Sequence, residues 1–245
     1  MGGSGGNFES VAVDNRNPKK PVFYVTNDSP NGEIRQFTPS SSALDEAART
    51  GDNWSILSTP GTLRYLEFND STSTFEWTKS IQKGRNSALW NYKNCEGIDF
   101  RDGYLYFVSK KMNNLYTLDL DKQTYEVERI GGGKFDGNPD QIKRITSSME
   151  NPKNDLLYFT EEGGKHAGIH ARDSDNNYYT IVEGLKYGKE TTGLAFSPDG
   201  KIMFFAHQDE GAVFAITRND GQPFYGATID LKRHLIGGRR RLGAP

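Results

Sequence analysis

One cysteine, Cys95, is all the sulfhydryl chemistry the 245 residues carry. That excludes an intramolecular disulfide, and no His–Cys spacing of a zinc site exists. A lone thiol of this kind reads as a small buried hydrophobe. Apolar residues are scarce at 34%, and no apolar run approaches the roughly 20 residues that a membrane-spanning helix requires. Charge of one sign is missing too: the net charge of −2 gives no electrostatic case for a nucleic-acid partner. The exception is Arg239-Arg240-Arg241, whose glycine-rich flanks make residues 235–245 a basic disordered tail. Residues 1–6 are glycine and serine after the initial Met, with neither a basic start nor an apolar stretch. They read as a flexible linker, an engineered join or the start of a truncated reading frame, and not as a secretory signal.

What is present points to strands. Aromatic residues reach 12%, with 14 Phe and 12 Tyr, beside 27 Gly. Flat and β-branched side chains pack well on a pleated surface, and Asp-Gly and Asn-rich pairs punctuate short strands. From Glu96 the chain reads as a four-strand meander: Ile98-Asp99-Phe100, Tyr104 to Ser109, Leu115 to Leu120, and Tyr125 to Ile130. The same pattern returns from Asp140 and from Glu190, and an N-terminal copy begins at Glu9. The spacing is that of propeller blades, of which about four or five are countable. The expected fold is therefore all-β, a β-propeller of four-stranded antiparallel blades over residues 7–234. Since the count is low for a closed ring, the expectation extends to missing N-terminal blades completed by another chain. Ala43 to Arg49 is expected to form a short helical excursion.

In a propeller the first strands line the channel and start at one mouth. Glu9, Glu96, Asp140 and Glu190 open those strands, and the second strands return to the same face with Asp28, Ser109, Glu161 and His207. Such a ring offers many oxygen ligands and few basic neighbours, apart from Lys110 and His207. Close carboxylates repel unless a cation neutralises them, and all-oxygen ligation suits calcium. The plainer alternative is that each acid caps a turn by accepting backbone N–H bonds; the recurrence at equivalent positions favours the metal site. Arg85, ahead of the strand at Glu96, is a candidate anion contact for a substrate. Gly131-Gly132-Gly133-Lys134 lacks the Ser/Thr and the βαβ context of a phosphate loop, and His170 and His234 look like ordinary strand or surface histidines.

The strings Phe8-Glu9-Ser10-Val11-Ala12-Val13-Asp14, Phe23-Tyr24-Val25-Thr26-Asn27-Asp28, Glu96-Gly97-Ile98-Asp99, Pro139-Asp140-Gln141-Ile142, Leu157-Tyr158-Phe159-Thr160-Glu161 and Glu190-Thr191-Thr192-Gly193-Leu194-Ala195-Phe196-Ser197-Pro198-Asp199-Gly200 resemble the PhoX-type alkaline phosphatase family. That resemblance implies a propeller holding calcium and iron that hydrolyses small phosphate monoesters. It assigns metal-binding carboxylates to Glu9, Asp28, Glu96, Asp140, Glu161 and Glu190. The family's iron-ligating cysteine segment and its export signal have no counterpart here, and Cys95 beside Glu96 is not a substitute. Two other readings stand beside it: a calcium-dependent lactonase of the gluconolactonase-like propellers, and a non-catalytic propeller scaffold for protein partners.

Overall fold

The computed structural model describes residues 6–130, 135–145, 155–183 and 188–224, with the backbone of 232–234. The Gly131–Lys134 run and the Arg239–Arg241 run lie outside the described residues. The chain falls into two compact units, Met1–Ile130 with Pro139–Ile142, and Gly131–Asn138 with Lys143–Pro245. Among the described residues no helix is long and apolar enough to cross a membrane.

In the first unit the alternating segments become strands β1 (Phe8–Asp14), β2 (Val22–Asn27), β3 (Arg35–Thr38), β4 (Thr62–Asn69), β5 (Thr74–Thr78), β6 (Cys95–Arg101), β7 (Tyr104–Ser109), β8 (Asn114–Asp119) and β9 (Thr124–Arg129). The expected helical excursion is α1 (Ser41–Thr50), followed by the single turn α2 (Ser55–Ser58). Ser40 caps α1 by accepting the Ala43 N–H at 3.3 Å. Gly51 ends it at φ +77°, a left-handed conformation that glycine adopts without a Cβ penalty. A further helix, α3 (Ile81–Asn91), was not expected from the sequence; its N-cap is Ser80. Small residues let α3 approach the sheet closely. A Cβ on Gly84 would stand 2.6 Å from Tyr65 Cβ, and Ser87 Oγ accepts the Phe68 N–H at 2.9 Å.

The assembly of these strands differs from the expectation. They form one continuous nine-stranded sheet in the order β1-β2-β3-β4-β5-β9-β8-β7-β6, not separate four-stranded blades. The meanders join where Thr74 pairs with Thr124, flanked by Phe75 N–H donating to Gln123 O and Tyr125 N–H donating to Ser73 O, both at 3.0 Å. The two end strands, β1 and β6, pack beside each other, so the sheet is nearly closed into a barrel. The propeller expectation is thereby overturned: the fold is mostly β, with a single nearly closed sheet in this unit. A meander's sequence looks the same inside a blade and inside a longer sheet, because alternation and turn residues specify only neighbours close in the chain. The sheet wraps a core that includes Leu66, Phe75, Ile98, Leu105, Phe107 and Leu118, with Phe107 stacked on Tyr116 at 4.7 Å.

A five-stranded sheet holds β10 (Asn138–Ile145), of which Pro139–Ile142 count with the first unit, and the second unit's β11 (Leu156–Glu162), β12 (Gly168–Arg172), β13 (Tyr178–Glu183) and β17 (Lys232–His234), in that order. A three-stranded sheet holds β14 (Thr191–Phe196), β15 (Ile202–His207) and β16 (Ala212–Thr217). Here too the Ser197-Pro198-Asp199-Gly200 string makes the expected turn, with Ser197 Oγ donating to Asp199 Oδ1 at 2.6 Å and Gly200 at φ +68°. Tyr158, Ile169, Met203 and Phe205 fill its core.

Candidate metal centre

The carboxylates of interest sit where the two end strands of the nine-stranded sheet meet. Glu9 lies on β1 and Glu96 on β6, and each strand breaks register just there, between Phe8 and Val11 and between Cys95 and Ile98. A bulge adds a residue to one strand and re-aims the side chains beside it, which turns both glutamates out of the regular alternation. Gly97 allows the close approach: a Cβ there would fall 2.2 Å from the backbone N of Ile142. Asp28 follows the end of β2, its N–H donating to Asn7 O at 2.7 Å. The seam itself is stitched by Thr26 Oγ1 donating to Glu96 O at 2.5 Å and Asn94 N–H donating to Ser29 O at 3.1 Å.

Glu9, Asp28 and Glu96 each offer an oxygen within 4.8 Å of the other two. Glu9 is exposed, Asp28 half-buried, and Glu96 only 2% exposed. Asn94, at φ +52°, donates its Nδ2 to Asp28 Oδ1 at 2.7 Å. Lys110 Nζ stands 3.2 Å from Asp28 Oδ2 and 2.5 Å from Glu96 Oε1. The latter is ion-pair contact outside hydrogen-bonding geometry, for that oxygen makes no directed hydrogen bond. Burial pushes the Glu96 carboxyl up to about 8 against the downward pull of Lys110, and the negative charges of Asp140 and Asp28 push the same way as burial.

The sequence-derived set is therefore brought together only in part. Asp140, buried in the first unit, bears on Glu96 through its charge but is outside the three-carboxylate group. Glu161 and Glu190 belong to the second unit. Glu161 is buried and accepts the N–H groups of Gly137 and Gly168, the latter at 2.9 Å, with His170 Nε2 at 3.0 Å. Glu190 forms an isolated bridge with Glu162. Arg85 lies on α3 and pairs with Glu33 Oε2 at 3.4 Å. Sequence reading passed over Asn94, whose short polar side chain just ahead of a strand suits a positive φ. It also passed over the buried pair Glu33–Arg35, since nothing in alternation marks two charges two residues apart as a core feature.

The donor set fits a hard divalent cation. Three carboxylates supply oxygen only, and calcium completes six to eight oxygen ligands with bidentate carboxylates and water. Cys95 offers no soft ligand: it is fully buried, burial pushes its thiol well above the usual range, and its Sγ contacts Tyr92 O at 3.0 Å.

One pH effect follows directly. Glu96 in the folded chain holds a proton that the unfolded chain releases near pH 4.5. Between that pH and about 8 the unfolded state binds fewer protons, so cation-free protein loses stability as pH rises, by up to a few kcal/mol. Urea unfolding midpoints at pH 5, 6.5 and 8 in chelator check this, and Glu96→Gln should flatten the profile.

Fold and site together define a mostly β protein whose sheet seam carries a three-carboxylate group able to hold a divalent cation. No family model matches the chain, and no curated protein matches it. Among solved structures, PhoX from Pseudomonas fluorescens in complex with vanadate, a transition state analogue, is 14% identical over 89% of this chain and 54% of that one, with a TM-score of 0.61. The chain thus spans about half the length of that protein. The nidogen/laminin complex, 14% identical over 89% of this chain and 79% of that one, gives 0.45. Sqt1 from Chaetomium thermophilum, 10% identical over 91% and 49%, gives 0.43. The PhoX likeness, at 14% identity, is one of fold alone. Membership of the PhoX-type family, expected from the sequence strings, is not sustained, and phosphomonoesterase activity falls with it. The lactonase and scaffold readings both presupposed a propeller, which the continuous sheet removes.

Proposed function

We propose that the first unit is a calcium-binding β domain, with Glu9, Asp28 and Glu96 as ligands and the bound ion fastening β1 and β2 to β6. The convergence of three carboxylates from three separate segments within 4.8 Å carries this reading. Supporting it, the buried Glu96 carboxyl raised to about 8 is destabilised as an anion and gains most from a neighbouring positive charge. Calcium is preferred over iron because every available donor is a hard oxygen. The ion's role would be structural: a ligand that binds only the folded form adds about 2.7 kcal/mol when present at 100 times its Kd.

Thermal unfolding in calcium and in chelator, with calorimetric titration of CaCl2, tests the proposal. Calcium should raise the Tm and give one saturable heat. Asp28→Asn combined with Glu96→Gln should remove both effects while leaving a folded chain. Absence of heat and of any Tm difference in the unsubstituted protein would exclude a calcium site here.

A further inference from the structure

The three carboxylates already hold a positive charge, and it comes from the chain itself. Lys110 follows β7 directly, and its N–H donates to Asn94 O at 2.9 Å. Its stem is anchored at the backbone of the same residue whose side chain orients Asp28. Only 12% of the Lys110 side chain is exposed. Its ammonium lies 2.5 Å from Glu96 Oε1 and 3.2 Å from Asp28 Oδ2, and so occupies the carboxylates that a metal ion would use. Glu96 and Asp28 are both paired with it.

Resting on the calcium reading above, we propose that Lys110 is the site's tethered counter-ion, which a divalent cation must displace, so that this one side chain sets the affinity of the site. An ammonium is a compact point charge on a four-carbon stem with free rotation. It can neutralise part of the cluster when no ion is bound and swing away when one arrives. The displaced charge and the incoming ion compete for the same oxygens, so calcium affinity is held below what three carboxylates alone would give.

Two measurements on the full chain test this. Calorimetric titration of CaCl2 into Lys110→Met should show binding tighter by on the order of tenfold or more, since one unit charge at contact distance has been removed. Reductive methylation of the unsubstituted protein, followed by peptide mass spectrometry, should find Lys110 slow to react in chelator and several-fold faster in saturating calcium. The methylation assay does not depend on the variant folding. Binding by Lys110→Met alone, with none by the unsubstituted chain, would overturn both the calcium reading and displacement in this protein. If the unsubstituted protein binds calcium but Lys110 stays equally protected, or if Lys110→Met binds no more tightly, displacement is wrong while the calcium site stands. If neither protein binds calcium, both readings fall.

Discussion

Replacing Arg35 with Met is expected to destabilise the first unit by about 3–5 kcal/mol, because it strands a buried carboxylate. Glu33 and Arg35 are each 1% exposed. Arg35 donates from Nε at 2.9 Å and from Nη2 at 2.6 Å to the same Glu33 oxygen, Oε1. Its guanidinium also lies 4.6 Å from the centre of the Phe8 ring, on β1. Taking the guanidinium away leaves Glu33 with Arg85, a longer contact at 3.4 Å from a side chain 38% exposed. The pair itself need not be worth that much: two buried charges cost nearly as much to desolvate as their attraction returns. A Glu33→Met/Arg35→Met double variant should therefore lose less than Arg35→Met alone. Tryptophan fluorescence in urea is a selective probe, since Trp54, Trp77 and Trp90 all fall in the first unit. A single-variant loss below about 1 kcal/mol would mean the pair behaves as an exposed one does.

Glu161→Ala should cost the second unit a similar amount, about 3–5 kcal/mol, by removing one carboxylate that serves several buried donors. Its Oε2 accepts the Gly168 N–H and faces His170 Nε2, while Oε1 accepts the Gly137 N–H. Glu161 N–H in turn donates to Thr191 Oγ1 at 2.9 Å, and that hydroxyl donates to Gly168 O at 2.8 Å. The network thus ties β11, β12 and β14 to the segment ahead of β10. Glu161→Gln keeps the volume but turns an NH2 toward N–H donors, so it should fall between the parent and the alanine variant. Amide exchange across Leu156–Glu162 reads the effect within this unit, where fluorescence of the tryptophans is blind. Unchanged protection in Glu161→Ala would assign the carboxylate a role other than holding this network, a metal ligand included.

Much of the local structure was legible without coordinates. Tyr104 to Ser109 and Asn114 to Asp119 alternate and are separated by a turn, and they form an antiparallel pair with Tyr104 opposite Asp119. Ala43 and Ala47 sit four apart after Ser40, and they are the buried face of α1. Acids at first-strand starts marked Glu9 and Glu96, and an acid at a second-strand end marked Asp28; a bulge beside Glu9 and beside Glu96 places those two side chains at the seam. The same logic extended to Glu161, yet there the carboxylate meets backbone N–H groups and a histidine. An acid's partners depend on what packs across from it, which no spacing along one strand reveals. Asn94 was missed because its importance lies in one hydrogen bond to Asp28, 66 residues away.

What the sequence determined by itself is the set of strands, their turns and the absence of disulfides, because these follow from side-chain period and from residues that fix φ. What only the tertiary structure decided is how the strands join. Thr74 meets Thr124 and β1 meets β6 through contacts between distant residues, and these make one nearly closed sheet where separate blades were equally compatible with the pattern. The same long-range closure carries Glu9, Asp28, Glu96 and Lys110 to one place. Charge placed on neighbouring strands acts through distance in space, and the closing of the sheet alone sets that distance.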